Sequence, residues 1–366
     1  MTNGELAPSE DGNGQITGRP SPKGVSSRTL NFGDVYWGGA LDDRAKATNK
    51  RLQYPFSSLN TFSRQDYDAW LANIECPVTG AVVSTTDQIS TGALNCPKDY
   101  LTEAKKWFSV LSVGNDHTDD QESIGGFAET KTNLDTNDIQ YAGHHDPKQY
   151  ADLCEIVDLP ARYTLNDSSF KEASLPLAIC SINSKDFSPD DLAIDEIVKY
   201  SKILPTWVFG HMGDDSATEP SLLEKNTYRS YIDAGAELVI GGHNDKIQQA
   251  ESYKGKLIMY SLGDFIGSSA PPGSGRALGL GVEISAKLDQ SVLLWTRLSP
   301  ECAKYDDSCI STAAYQGLVK PRYTYEFTTV AVNDLEGGLV GEGTEKENTA
   351  IQQLLGWDAV IAQLKY

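Results

Sequence analysis

The sequence predicts a layered α/β sandwich. Three observations carry that prediction. From about residue 28, strand-like and helix-like segments alternate, as in crossover units. Later in the chain the strand signals become closely spaced and antiparallel. Throughout, short apolar runs end on a carboxylate or a histidine, often beside glycine. In open α/β sheets ligands bind beyond the carboxyl ends of the strands, so such endings can converge on one crevice.

Residues 1–27 are rich in Gly, Pro, Ser and Asn and lack an apolar centre. They read as a disordered leader, neither signal peptide nor anchor. Residues 28–35 form the first expected strand. Residues 64–71 look like a short helix or its exit, followed by an extended segment at 72–78. A helix at 100–106 leads into a strand at 107–113. Phe127, Thr130 and Leu134 give residues 123–137 helical spacing, before a short strand at 139–142. Residues 175–182 are an apolar strand. Pro189 opens a helix running to residue 200, early in the first turn, where its missing N–H is harmless. Residues 207–209, 219–234 and 237–240 compose a strand-helix-strand unit. A Lys254-Gly255 turn joins residues 246–253 and 256–260 into a hairpin. Strands are expected at 279–284, 292–298 and 322–330, with an irregular stretch at 299–314. Residues 337–343 read as a Gly-rich linker, and residues 349–364 as an amphipathic closing helix. The domain division is then a leader (1–27), one domain (28–333), and a linker with a C-terminal helix (334–366).

Composition narrows the partners. The formal net charge of −20 over 366 residues repels phosphate backbones, so no nucleic-acid partner is expected. No apolar run approaches the roughly 20 residues that span a bilayer, so no membrane partner is expected either. The six cysteines, Cys76, Cys96, Cys154, Cys180, Cys302 and Cys309, include no Cys-x-x-Cys pair. Free thiols in a cytoplasmic protein are the expectation, with a Cys302–Cys309 bridge left open.

The chemistry lies at five strand ends: Asp34, Glu75, the Asn115-Asp116-His117 segment, His211 and His243. Carboxylates and imidazoles delivered together suit a divalent cation. Six blocks in fixed order carry a family resemblance. They are Gly33-Asp34-Val35, Ala72-Asn73-Ile74-Glu75, Asn115-Asp116-His117 with Asp119, His211-Met212-Gly213, the run from Ala234 to His243, and Tyr260-Ser261-Leu262-Gly263-Asp264-Phe265. From about residue 30 to 284 the chain resembles the CapA/PgsA-type poly-γ-glutamate capsule synthesis proteins, a branch of the calcineurin-like metallophosphatase superfamily.

The resemblance implies a four-layer α/β/β/α sandwich with mixed sheets and a divalent-metal site at one sheet edge. It makes Asp34 and Glu75 carboxylate ligands, and His211 and His243 imidazole ligands. Asp116 falls where the family usually has Asn, Asp245 where it has a second His, and Asp264 where it has Asn. In one outcome Asp116 and Asp245 join the ligands and favour hard ions (Mn, Mg or Ca over Zn), one or two in number. In the other, one metal position is lost and Asp116, Asp245 and Asp264 serve as acids or bases. His117 is expected to stabilise developing charge. His144, His145 and Arg276 are candidates for contacting a small-molecule or peptide substrate.

Three functions follow. The first is a metal-dependent hydrolase that cleaves a glutamyl- or peptide-type amide, or a phosphoester, with a metal-activated water. The second is a metal-assisted epimerase working by acid/base chemistry at a Cα. The third is a non-catalytic component of poly-γ-glutamate-type polymer synthesis.

Overall fold

A computed structural model describes residues 22–185, 189–267, 276–304 and 306–366. The strands among them are β1 (Pro22–Val35), β2 (Ala69–Ile74), β3 (Val78–Thr79), β4 (Cys96–Pro97), β5 (Val110–Ser112), β6 (Gln140–Ala142), β7 (Cys154–Leu165) and β8 (Phe170–Asn183). They continue with β9 (Thr206–His211), β10 (Leu238–Gly242), β11 (Ala250–Tyr253), β12 (Lys256–Met259), β13 (Arg276–Lys287), β14 (Thr324–Leu335) and β15 (Leu339–Glu342). One hydrogen-bonded path runs β11-β12-β10-β9-β8-β7-β1-β13-β14-β15, and β2, β5 and β6 branch from β1.

The branch at β1 creates two sheets. Residues 22–26 of β1 pair antiparallel with β7, whereas from Thr29 onward β1 pairs in parallel with β2. The β2-β5-β6 group thus diverges from the β7-to-β12 group. Successive side chains on a strand point to opposite faces, and here both faces are buried. Ala69 and Leu71 of β2 enter a core shared with Trp207 and Phe209 of β9, while Trp70, Ala72 and Ile74 enter a second core. Val208 and Val239 enter a third. The helices Gly39–Ala47 and Gly126–Thr136 cover the second core; Asp191–Ser201, Leu222–Asp233 and Gln290–Cys302 cover the third. The result is the expected α/β/β/α layering. Burying one large side chain such as Trp70 or Trp207 contributes roughly 1.5–3 kcal/mol or more.

Several sequence expectations need correction. The first strand begins at Pro22, inside the expected leader. Its backbone pairs on both edges, and the buried Ser27 hydroxyl donates to Pro160 O at 2.7 Å. Residues 1–21 lie outside the described residues. Residues 292–298 are helical, because Asp289 caps the backbone N–H of Val292 and buries Val292, Trp295, Thr296 and Ser299 on one face. A short apolar run cannot by itself tell strand from helix. Helix Asp306–Tyr315 occupies much of the expected irregular stretch. The Gly-rich segment at 337–343 is a hairpin: β15 pairs with β14, Leu339 opposite Leu335. The closing helix breaks at Gly356, whose φ of 63° separates Glu345–Leu355 from Trp357–Ile361. All six cysteines are paired, as Cys76–Cys96, Cys154–Cys180 and Cys302–Cys309, in place of free thiols. Register puts Cys154 directly opposite Cys180 on adjacent strands, a neighbourhood that sequence spacing does not reveal.

Candidate metal centre

Strands β1, β2 and β5 run parallel, as do β8, β9 and β10, so their carboxyl ends collect at two adjoining edges. Asp34, Asn73 and Ser112 stand side by side in the β1–β2–β5 register, and Asn183, His211 and Gly242 do so in β8–β9–β10. Several contacts tie the two rows together, among them the His243 backbone N–H, which donates to Asp34 Oδ2 at 2.8 Å, and the Ser112–Ser181 hydroxyl pair. The first of these needs His243 at φ 80°, a conformation unusual for a non-glycine residue. It also needs Gly242, because a Cβ there would sit 3.0 Å from Asp34 Oδ1. Beneath the site, Phe32 stacks on Phe265 with centroids 3.6 Å apart, and Phe265 N–H donates to Asp34 O at 2.8 Å. The Asp34 and Asp264 segments are thereby fixed to each other.

Glu75, Asp116, His211 and His243 each offer one ligand atom, all within 4.8 Å of one another. Donors on opposite sides of one ion, each at ~2.0–2.2 Å, are separated by slightly less than that. Asp116 Oδ1 lies 2.7 Å from His211 Nε2 and 3.9 Å from His243 Nδ1, and Glu75 Oε1 lies 3.6 Å from His211 Nε2. Neither ring nitrogen of His243 has a hydrogen bond, although both are buried. Asp215 Oδ1 is 2.8 Å from Nε2, close enough for charge attraction but without hydrogen-bond geometry. Buried polar atoms are normally satisfied, and an imidazole nitrogen left over among carboxylates fits a cation. The two-carboxylate, two-imidazole donor set fits a divalent metal.

The electrostatics agree. Burial, and then the charge of His211, lower the His243 pKa to about 4, so the ring is neutral and able to ligate. Burial opposes ionisation of Asp116, but His211, His117 and Lys185 outweigh it and hold this carboxyl below the usual range. Burial, followed by the charges of Asp34, Asp264, Asp116 and Asp245, raises Glu75 well above it. Mutual repulsion of this kind is what a bound cation relieves.

The other candidates are placed as follows. Asp34 stands beside the group of four but outside it, since its oxygens accept from Asn73 Nδ2 (2.6 Å) and the His243 N–H. Burial raises its pKa, against the His211 charge. Asp245 is also outside the group; burial raises its pKa, with Asp215 and Asp34 adding to the shift. Asp264 is raised well above the ordinary range by burial and then by Asp34 and Asp245. His117 Nδ1 pairs with Asp120 Oδ2 at 2.7 Å. Burial disfavours its charged form, but Asp120 and Asp116 prevail and its pKa is raised. His144 and His145 are outside the group of four and packed on Phe127, with His145 paired to Asp119 at 3.1 Å and its carbonyl accepting from Asn183 Nδ2 at 3.0 Å. The Arg276 side chain lies outside the described residues.

Sequence reasoning gave no role to Asn73, Asn115, Ser112 or Lys185. Asn73 Oδ1 accepts from Ser112 Oγ (3.1 Å) and Asn115 Nδ2 (2.9 Å), so Asn73 connects three strand ends. Lys185 Nζ meets Asp116 Oδ2 at 2.5 Å. A polar residue inside the wholly buried β2 was the available signal for Asn73.

Fold and site together define a four-layer α/β protein with a histidine–carboxylate centre at its strand ends. The profile of the family described as "Bacterial capsule synthesis protein PGA_cap" matches residues 29–172 and 196–269, more than half of the chain, and the chain belongs to that family. It is similar to the "PGA biosynthesis protein CapA" of Bacillus subtilis (strain 168), 26% identical over 168 residues, which is 43% of this chain and 42% of that protein. It is also similar to the "Capsule biosynthesis protein CapA" of Bacillus anthracis, 34% identical over 56 residues, or 15% and 14% of the two chains. The matches thus span less than half the length of these relatives.

Proposed function

We propose that this protein is a divalent-metal-dependent hydrolase acting on a glutamyl- or peptide-type amide or on a phosphoester. The observation that carries the reading is the group Glu75, Asp116, His211 and His243 around the unsatisfied nitrogens of His243. A divalent cation held there supplies charge that polarises the scissile group and acidifies water. Asp34 fixes the His243 backbone, Asn73 fixes Asp34, and Lys185 holds Oδ2 of Asp116 while Oδ1 faces His211 and His243. His117, held by Asp120 with a raised pKa, is suited to stabilise charge or donate a proton as the bond breaks.

A second reading has its own support. The raised carboxyls of Asp245 and Asp264 retain protons more readily than ordinary carboxyls, and a protonated acid near a cation suits Cα epimerisation. The test measures bound metal in purified protein, then hydrolysis of poly-γ-glutamate and of p-nitrophenyl phosphate, with Glu75→Gln and His243→Ala beside wild type. Deuterium entering a substrate Cα without cleavage would transfer the assignment to epimerase. Full metal binding by both variants would sink the metal reading. Metal-bound protein inert in every assay would leave the role in polymer synthesis as a non-catalytic one.

Among the described residues no helix is long and apolar enough to cross a membrane. The three disulfides favour an oxidising compartment over the cytoplasm expected from sequence.

A further inference from the structure

A cavity of about 400 Å³ falls within the size range of small-ligand sites. Part of its wall continues segments that carry the site, and the rest comes from the 334–338 turn and the helix at residues 39–47. Tyr36 follows Asp34 by two residues, and Gly267 follows Asp264 by three. The Cys76–Cys96 disulfide begins at the neighbour of Glu75 and closes the loop that carries Gln88, Ile89 and Leu94. Leu94 N–H donates to Asp120 Oδ2 at 2.6 Å, and that same oxygen holds His117. Leu94 and Asp120 therefore link the cavity wall to His117.

The lining is mostly apolar: Tyr36, Leu41, Ile89, Leu94 and Leu335 face it. The Tyr36 hydroxyl donates to Gln88 Oε1 at 2.6 Å, and Gln88 Nε2 donates to Val83 O at 3.2 Å, so these polar groups are already engaged. The charged side chains in the wall, Arg44 and Asp334, are one of each sign. Ile89 is 79% exposed and Leu335 38% exposed, so both can be changed without disturbing the core.

We propose that this cavity is an apolar subsite that holds an uncharged, aliphatic or aromatic part of the substrate next to the reacting bond. Naming the occupant as substrate rests on the metal-centre reading; the cavity's preference for apolar ligands does not. The subsite works by burial, so affinity grows with each methylene until the space is filled. Because Tyr36 follows Asp34 and Leu94 is bonded to Asp120, a filled cavity orients the adjoining polar part of the ligand toward the His117 side of the group of four.

The test uses two probe series on the full chain, read by titration calorimetry. n-Alkanols from butanol to octanol probe the cavity without metal. Methyl- to octylphosphonate probe it on protein equilibrated with Mn²⁺. In both series affinity is expected to rise about fourfold per methylene and then level off. The double variant Ile89→Asp/Leu335→Asp, made at exposed positions to spare the fold, should lose at least tenfold in octyl-ligand affinity while keeping Mn²⁺ and methylphosphonate binding. Affinities independent of chain length, or a chain-length dependence untouched by the double variant, would overturn the proposal. Alkanols that bind as expected to a protein that takes up no Mn²⁺ would support the apolar cavity and defeat the metal reading.

Discussion

The two flanks of the site differ in one chemical respect. On one, the group of four sets Asp116 and Glu75 against His211 and His243; on the other, Asp245 and Asp264 meet chiefly carboxyls, Asp34 among them. Both flanks are buried and acidic, yet Asp116 is held below the usual carboxylate range while Asp264 is pushed well above it. Imidazole and lysine partners make the difference, because desolvation acts on both sides alike. The histidine-bearing flank supplies a donor set that could hold a cation, with Glu75 raised by its carboxyl neighbours, and on the other flank burial and like charges favour the neutral carboxyls.

The contrast can be tested at four points, beginning with the largest effect. His243→Ala or Glu75→Gln should weaken Mn²⁺ or Zn²⁺ binding on the order of 100-fold, whereas Asp264→Asn should change it much less, as measured by calorimetry. Equal losses on both flanks would erase the distinction. Asn73→Ala removes the side chain that joins Asp34, Ser112 and Asn115. It should lower metal affinity about 10-fold or more and cost roughly 1–3 kcal/mol in urea denaturation. Asp245→His turns the carboxyl-only flank into a mixed one; it should raise Zn²⁺ affinity or stoichiometry by about tenfold or one added ion, measured by equilibrium dialysis.

The smallest effect lies away from the site, where carboxyls meet without a histidine. Glu155 is pushed up to about 8, by burial first and then by Asp306. A folded pKa above the unfolded one gives stability that is full below the ordinary carboxylate range and lost as pH climbs through about 8. Glu155→Gln keeps the neutral form, so at about pH 9 it should exceed wild type by on the order of 1 kcal/mol, and near pH 4 match it. Parallel denaturation curves at the two pH values decide the matter.

Much of the site was legible in sequence because parallel strands end where their loops begin, and a strand ending on Asp, Glu or His declares itself locally. Asp34, Glu75, Asp116, His211 and His243 stood out that way, and the structure brings the last four within 4.8 Å of one another with Asp34 beside them. Asn73 was not, because its importance lies in three partners on other strands. Helix Gln290–Cys302 was misread as strand because seven apolar-rich residues suit either period.

By itself, the sequence determined the alternation of elements, the acidic surface and the order of the ligand-bearing turns, all set by neighbours along the chain. Tertiary structure alone decided which candidate side chains form the group of four, which cysteines pair, and which segments enclose the apolar cavity. Those outcomes depend on distances between segments far apart in the chain, as in the bond from His243 to Asp34, 209 residues away. Such distances are set by sheet register and packing, which local pattern does not encode.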